Sequence, residues 1–521
     1  MSQQPGYYPP PPQQPYYPPP PPQQYYPPRP PMGVYSPVPN AESAHYHPPS
    51  YEQGRVQNTV AEKWNPRPKF QDAWAAILFL IHFIGFIIIS YFGLKSLSDS
   101  KTLSGLGNKT DNFPLTSKSI IMLVVTAILG FFLSMIYMLC MRKFPKPLII
   151  ITLWLSVATF FVVAIAYGFF KQYVLAVISG IFAIIYLICA ISWRDRIPFA
   201  AIMLETVTGI TKKYYGTIVM GFVGLFLQVG WSAWWVFTII GAYRKYYSEA
   251  GCKTTTDANG STSFGCDSVI LYVVMLYLLF SFYWTSQVIK TIVHVTDSGV
   301  FAAFYFLEGT PQGTGSVPTL SSLKRACTTS FGSICFGSLI IAILNTIKAI
   351  FQAIANSDDG ACGFLAACFA CLLSYIEALV EYFNHYAYVE VAIYGKSFCR
   401  AAKDTWKLIK DRGVEAIIND NLIGNVLAMG AILIGVLCGA FGYAYIRLAN
   451  NITNDTTNIV ILVVICFLLG LMMTIIITDA IDSGVATTFV ALAEDPDALR
   501  RTKPELFERI RQKWPRIVQG M

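Results

Sequence analysis

Ten long apolar runs constrain the fold of this chain most, because each is long enough to cross a lipid bilayer as a helix. A helix needs about 20 apolar residues to span a hydrocarbon core of about 30 Å while its backbone hydrogen bonds are made internally. The composition agrees, since 54% of the 521 residues are hydrophobic and only 13% are charged. We therefore predict an all-α polytopic membrane bundle of about ten transmembrane helices over residues 73–479. The predicted spans are 73–94, 119–140, 148–169, 173–192, 216–242, 268–290, 331–354, 362–385, 424–446 and 457–479.

The distribution of lysine and arginine predicts the orientation of these spans, because both residues are retained on the cytoplasmic side. With the N-terminus inside, the inner segments contain 27 of them and the outer loops contain nine. Both termini are therefore predicted to be cytoplasmic, and residues 480–521 form a cytoplasmic C-terminal segment. Inner loops that meet anionic lipid account for the net charge of +8, so the charge gives no reason to expect a nucleic-acid partner.

N-glycosylation sequons provide a second test of the orientation, because they are used only in loops that reach the lumen. Sequons outside the N-terminal tail begin at Asn108, Asn259, Asn451 and Asn454. All four lie in loops that the charge distribution places outside. We predict these asparagines as glycosylation sites.

Two of the twelve cysteines flank one of these sequons. Cys252 and Cys266 lie on either side of Asn259 in the outer loop after the fifth span, where the environment is oxidising. We predict a disulfide between them. Two alternatives stay open: both are free thiols, or Cys362 near the outer surface is the partner of one of them.

The first 72 residues differ in composition from the rest, because proline, glutamine and tyrosine replace aliphatic side chains over most of them. Such a segment cannot bury enough surface to fold. We predict a disordered, extended cytoplasmic tail. Within it, Pro48, Pro49 and Tyr51 form a P-P-x-Y motif that suits the aromatic groove of a WW domain. The alternative is a chance match in a tail rich in both residue types.

A short internal repeat lies at the ends of the sixth and tenth spans. The word D-S-G-V occurs at 297–300 and again at 482–485, just past the predicted inner end of a span in each case. Both copies therefore have the same membrane orientation. Parallel repeats of this kind build some transporters around a midplane site. The alternative is a pair of similar helix terminations.

Two longer sequence segments resemble a known family. W-T-S-Q-V-I-K-T-I-V-H-V-T-D-S-G-V runs from Trp284 to Val300, and Y-G-K-S-F-C-R-A-A-K-D-T-W runs from Tyr394 to Trp406. With the proline-rich tail and ten spans, they resemble the choline transporter-like family, and its fungal pH-nine-sensitive membrane proteins most of all. The resemblance covers roughly residues 60–510. It implies a plasma-membrane protein of the solute carrier type, and choline is a substrate of some animal members.

A quaternary ammonium is held by aromatic faces and a carboxylate, because it has no hydrogen to donate. In the fifth span Gln228, Trp231 and Trp235 share one helix face, and Gly230 would allow close approach. Tyr283 and Trp284 are aromatic candidates in the sixth span. The alternative for the tryptophans is an interfacial aromatic belt without a specific ligand.

Carboxylates inside apolar runs are the stronger candidates, because an ionised side chain at the middle of a bilayer costs at least about 2.5 kcal/mol unless it faces protein or water. Glu377 and Glu381 lie one turn apart in the eighth span. One interpretation is a cation pathway or proton-coupling site. The alternative is a pair held by Lys348, Lys290 or backbone groups at the inner boundary. Asp479 and Asp482, at the end of the tenth span, are explained most simply by a place at the cytoplasmic surface.

The sequence contains no phosphate-binding loop, no hydrolase or zinc-protease motif and no cluster of its five histidines that would indicate a metal or cofactor. We therefore predict a membrane protein that is not an enzyme. Its predicted function is secondary transport or facilitated passage of a small organic cation at the plasma membrane. The alternative is a non-transporting scaffold or sensor that recruits cytosolic partners through its tail.

Overall fold

The computed structural model describes residues 69–99, 117–249, 253–256, 262–265, 269–311, 313–357, 360–448 and 456–513. Ten helical segments in these ranges are long and apolar enough to cross a membrane, which confirms the predicted helical bundle. The helices are α1 (Ala73–Asp99), α2 (Ser117–Lys143), α3 (Pro145–Phe169), α4 (Tyr173–Ser192), α5 (Ile197–Lys213), α6 (Gly216–Glu249), α7 (Val269–Leu307), α8 (Pro318–Cys327), α9 (Phe331–Ser357), α10 (Ala361–Tyr394), α11 (Phe398–Leu448), α12 (Thr456–Glu494), α13 (Pro496–Thr502) and α14 (Pro504–Lys513). Between α6 and α7, β1 (Lys253–Thr256) and β2 (Thr262–Gly265) form an antiparallel pair.

Helix ends follow local sequence signals at two clear positions. Between α2 and α3 the chain passes through Phe144, and α3 begins with Pro145, whose fixed φ and missing N–H suit a first helical position. The end of α10 is set by Gly395, which has a φ of 63° and donates its N–H to the carbonyl of Val391 at 3.0 Å. This left-handed cap is favoured by glycine. It turns the chain from α10 into α11.

Three spans continue well beyond their predicted inner ends. Helix α7 runs to Leu307, α10 to Tyr394 and α12 to Glu494. Both D-S-G-V words therefore lie inside helices and not past their ends. The hydropathy falls where polar residues begin, but the helices continue because most of the residues beyond these points are packed against protein. Asp297 is 1% exposed, and an added Cβ at Gly299 would lie 2.1 Å from Ser322 Oγ on α8.

Helix α5 follows α4 after a single 3-10 turn and is largely buried. Met203, Leu204 and Val207 contribute to the largest hydrophobic core, which also contains Phe301 and Phe489. The sequence did not predict this element, because 17 residues that include Glu205 and two lysines are too short and too polar to read as a separate span. It packs against α2, α3 and the inner part of α12.

Helices α1 and α6 pack through two glycines. A Cβ added at Gly241 would lie 2.3 Å from the carbonyl oxygen of Gly93, and one added at Gly93 would lie 2.9 Å from the backbone nitrogen of Ala242. The two backbones are therefore in direct contact. Small residues allow such an approach between helices in membranes, where dispersion and weak hydrogen bonds replace the hydrophobic effect.

Asp72, just before α1, ties the first span to two distant helices. Its Oδ2 accepts a hydrogen bond from Ser333 Oγ on α9 and another from the backbone N–H of Phe398, both at 2.7 Å. Phe398 is the first residue of α11, so the carboxylate satisfies one of the unpaired N–H groups at a helix start. The contact joins three separate parts of the chain.

Replacing Asp72 by Ala should lower the stability of the bundle by about 1–2 kcal/mol, because both hydrogen bonds are lost at once. Asp72→Asn is the matched control, since its side-chain oxygen can still accept and asparagine tolerates the φ of 49° at this position. The measurement is the thermal unfolding midpoint of the purified protein in detergent. Equal midpoints for the two variants would contradict the account.

Candidate functional site

A cavity of about 690 Å³ lies between α6, α7, α10, α11 and α12. Apolar residues such as Leu225 and Ile476 form part of its wall. The rest of the wall is unusually rich in ionisable groups for the interior of a membrane bundle. These groups are Lys290, His294, Asp297, Glu381, Tyr382, His385, Asp420, Asp479 and Asp482.

The D-S-G-V repeat explains how two helices supply most of these groups. Its first residue is Asp297 in α7 and Asp482 in α12, and both line the cavity. Three residues earlier stand His294 and Asp479, which line it as well, since residues three apart share a helix face. Asp479 and Asp482 thus line this cavity, and both side chains are exposed. The repeat brings its two aspartates to one site.

The glycines of the two repeats lie on the packed side of their helices. A Cβ added at Gly299 would meet Ser322, as described above, and one added at Gly484 would lie 2.5 Å from the ring of Phe301. Each glycine therefore admits a neighbouring element at close range. This packing fixes the rotation of α7 and α12, so that their aspartates turn toward the cavity.

Acidic groups outnumber basic groups in the described lining. It contains five carboxylates, one lysine and two histidines. Asp297 is almost completely buried, and its Oδ1 has no hydrogen-bond partner in the described residues. A buried acceptor without a partner is costly unless a ligand, a proton or water satisfies it. The cavity therefore has both the sign and an unfilled acceptor that suit a cation.

His294 and His385 form a stacked pair at one wall of the cavity, with ring centroids 4.2 Å apart. His294 Nε2 donates to the backbone carbonyl of His385 at 3.0 Å, because a carbonyl can only accept. In the neutral ring Nδ1 is then an acceptor, and Ser483 Oγ lies 2.7 Å from it. His385 Nε2 in turn lies 3.6 Å from Asp482 Oδ2. These contacts hold α7, α10 and α12 together beside the acidic groups.

Asp420 on α11 is held by two phenols from α10. Tyr386 and Tyr382 donate to its Oδ2 at 2.6 and 3.0 Å. Tyr386 is buried, whereas Tyr382 also lines the cavity. Two donors to one oxygen orient the carboxylate and leave its other oxygen available.

The two glutamates of the eighth span have different surroundings. Glu381 lines the cavity, and its Oε1 lies 2.5 Å from Nζ of Lys290. Glu377 does not line it and is paired with Lys348 on α9. Each glutamate is therefore paired with a lysine, as the alternative interpretation of the sequence proposed. Of the two glutamates, only Glu381 combines an ion pair with access to the cavity.

The aromatic candidates lie outside the cavity lining. Trp231 is 5% exposed and packs against Phe86 with ring centroids 4.7 Å apart. Trp284 is 1% exposed and donates to the carbonyl of Cys335 at 3.1 Å. The structure places these two rings in packed hydrophobic clusters.

Of the other candidates in the fifth and sixth spans, two pack away from the cavity and one lines it. Trp235 donates to the carbonyl of Leu278 at 2.8 Å, and Tyr283 packs against the cluster around Trp284. Gln228 does line the cavity, and its Nε2 donates to Ser286 Oγ at 2.9 Å. Gly224 allows α6 to approach Val293 on α7, where an added Cβ would lie 2.6 Å away, whereas a Cβ added at Gly230 would meet nothing within 4 Å.

Several predicted sites lie outside the described residues. These are the WW-docking residues Pro48, Pro49 and Tyr51, the sequons at Asn108, Asn259, Asn451 and Asn454, and the cysteines Cys252 and Cys266. Cys362 is described and forms no disulfide with any described residue. The predictions for these sites stay predictions.

Comparison with known proteins gives consistent matches over most of the chain. A family model described as "Plasma-membrane choline transporter" matches residues 177–497. Protein PNS1 of Mycosarcoma maydis is 34% identical over 497 residues, which cover 92% of each chain. Protein PNS1 of Gibberella zeae is 35% identical over 87% of this chain and 84% of its own length. Protein PNS1 of Cryptococcus neoformans is 35% identical over 90% of this chain and 86% of its own length.

The family match covers all the helices that line the acidic cavity, from α6 to α12. The full-length relatives are fungal and extend over the other spans as well. Ten apolar helices and these matches lead to one assignment: the chain is a multi-pass membrane protein that belongs to the choline transporter-like family of transport proteins.

Proposed function

We propose that this protein is a secondary transporter or facilitator for a small organic cation, a choline-like quaternary ammonium or a related amine. It acts at the plasma membrane with both termini in the cytosol. The acidic cavity carries the proposal, because five carboxylates from four helices face one space inside the bundle. The family assignment supports the choice of choline-like amines.

The size and electrostatics of the cavity support a cationic substrate. Its volume of about 690 Å³ lies within the range of about 300–1,000 Å³ that holds small organic molecules. A cleft lined by one sign of charge raises the local concentration of the opposite ion. Apolar wall residues such as Leu225 and Ile476 can contact the methyl groups of a quaternary ammonium, and the carboxylates compensate its charge.

The membrane potential is sufficient to drive such a substrate inward. A monovalent cation gains about 2.3 kcal/mol per 100 mV on entering a negative interior, which corresponds to nearly fiftyfold accumulation. This matches a sequence without a recognisable phosphate-binding loop. No ATP-driven step is required by the proposal.

Uptake of labelled choline into proteoliposomes that contain the purified protein tests the function. Uptake should be saturable, and an inside-negative potassium diffusion potential should raise it, because the substrate carries a positive charge. Several other amines, including a primary and a tertiary amine, define the substrate class. An absence of flux for every amine, with correctly folded protein, would favour the scaffold or sensor instead.

A further inference from the structure

We propose that Lys290 is a tethered competitor for the transported cation. Its ammonium group compensates the acidic cavity when the cavity is empty, and it releases Glu381 when the substrate cation arrives. The proposal rests on the proposed function and adds a role for one side chain of the cavity. It makes Lys290 a determinant of substrate affinity and of the return of the empty carrier.

The geometry of the pair carries this inference. Lys290 on α7 and Glu381 on α10 both line the cavity, with Nζ 2.5 Å from Oε1. Their side chains are 66% and 45% exposed, so solvent in the cavity reaches both. Among the described lining residues, Lys290 is the only lysine or arginine. The acidic wall therefore has a single full positive charge, and that charge is on a flexible side chain.

The neighbouring pair of Glu377 on α10 and Lys348 on α9 provides a comparison, because it has only a structural role. Glu377 lies one turn from Glu381 and pairs with Lys348, but their side chains are only 16% and 20% exposed. Neither residue lines the cavity. Charges with so little access to solvent are expensive to separate. The pair of Lys290 and Glu381 is open, and separating it costs little because water and a substrate cation can replace each partner.

The surrounding charges explain why a resident ammonium is useful. Glu381 shares the cavity with Asp297, Asp479 and Asp482, and the histidine pair lies beside them. An empty cavity without Lys290 would hold several carboxylates with no full positive charge, and their mutual repulsion would be unfavourable. Reorientation of the empty carrier would then be slow. With Lys290 present, the carrier can return without a second ion.

The test compares Lys290→Gln and Lys290→Arg with the wild type in equilibrium binding of labelled choline and in two flux modes. Net uptake uses empty vesicles, and exchange uses vesicles preloaded with unlabelled choline. For Lys290→Gln we expect a Kd about tenfold lower, because a charge that repels the substrate is removed. Net uptake should fall about tenfold while exchange stays near the wild-type rate, because only net uptake requires the empty carrier to return. Lys290→Arg should behave as the wild type.

A double replacement of the other pair, Lys348→Gln with Glu377→Gln, is the matched control and should leave the ratio of exchange to net uptake unchanged. Glu381→Gln gives an independent reading if Lys290→Gln folds poorly, since it should raise the Kd about tenfold by removing an attractive charge. An unchanged ratio and Kd in Lys290→Gln, or a higher Kd, would overturn the proposal. A wild type that neither binds nor moves any amine would instead overturn the proposed function itself.

Discussion

Replacing Asp482 by Asn is expected to lower kcat/KM for choline uptake by about a hundredfold, because a carboxylate about 4 Å from a cation contributes up to about 4 kcal/mol at an effective dielectric constant of 20. Asp482 belongs to the D-S-G-V repeat, lines the cavity and lies 3.6 Å from His385. Asparagine keeps the shape and removes only the charge. The measurement is the initial rate of uptake over a range of choline concentrations in proteoliposomes.

Glu508→Gln is the control for this prediction. It removes one negative charge from a surface pair on α14, where Glu508 lies 3.1 Å from Arg511. Uptake by this variant should match that of the wild type. Equal losses in the two variants, or full activity of Asp482→Asn in folded protein, would show that the acidic cavity is not the cation site.

Replacing Gly241 by Leu should have the largest effect on stability. The new Cβ would lie 2.3 Å from the carbonyl oxygen of Gly93, and a backbone atom cannot move aside as a flexible side chain can. Helices α1 and α6 would have to separate along their contact. Overpacking of this kind costs about 3 kcal/mol or more. The expected result is a large fall in the thermal unfolding midpoint or loss of the monodisperse protein during purification.

Gly230→Leu on the same helix is the matched substitution. An added Cβ at Gly230 meets nothing within 4 Å, so this variant should purify and unfold as the wild type does. Similar behaviour of the two leucine variants would mean that the backbone contact between α1 and α6 does not limit stability.

The sequence predicted the number and identity of the spans because a lipid core imposes one simple requirement on every crossing helix. It did not predict where the long helices end. Asp297 and Asp482 interrupt the apolar pattern, but the helices continue past them to Leu307 and Glu494 because most of the following residues are packed against protein. Hydropathy reports the preference for lipid. It does not distinguish a helix that ends from one that goes on inside protein.

The candidate site was predicted in part. Gln228 and Glu381 line the cavity. Gln228 was chosen because it shares a helix face with Trp231 and Trp235, and Glu381 because a carboxylate is costly inside an apolar run. The aspartates of α7 and α12 were placed at the surface or left unassigned, because a polar residue at the end of an apolar run has the same pattern whether it meets water or a cavity. The repeated word was the signal that could have identified them, since it puts Asp297 and Asp482 at equivalent positions of two helices.

The tryptophans show the opposite limitation. Trp231, Trp235 and Trp284 have the chemistry of a quaternary ammonium site, but the structure packs all three rings against other helices, and the indole N–H groups of Trp235 and Trp284 donate to backbone carbonyls. A ring that fills a core and a ring that faces a ligand obey the same helical spacing. Only the positions of the neighbouring helices separate the two, and one sequence does not contain them.

The claim that the acidic cavity binds a cation is tested most directly by comparing choline with 3,3-dimethylbutan-1-ol, which has the same shape and no charge. Equilibrium displacement of labelled choline from the purified protein is the measurement. The account predicts that unlabelled choline displaces the label and that the neutral analogue does so at least about a hundredfold less well, because it cannot pair with the carboxylates. Equal displacement by the two compounds would contradict the account.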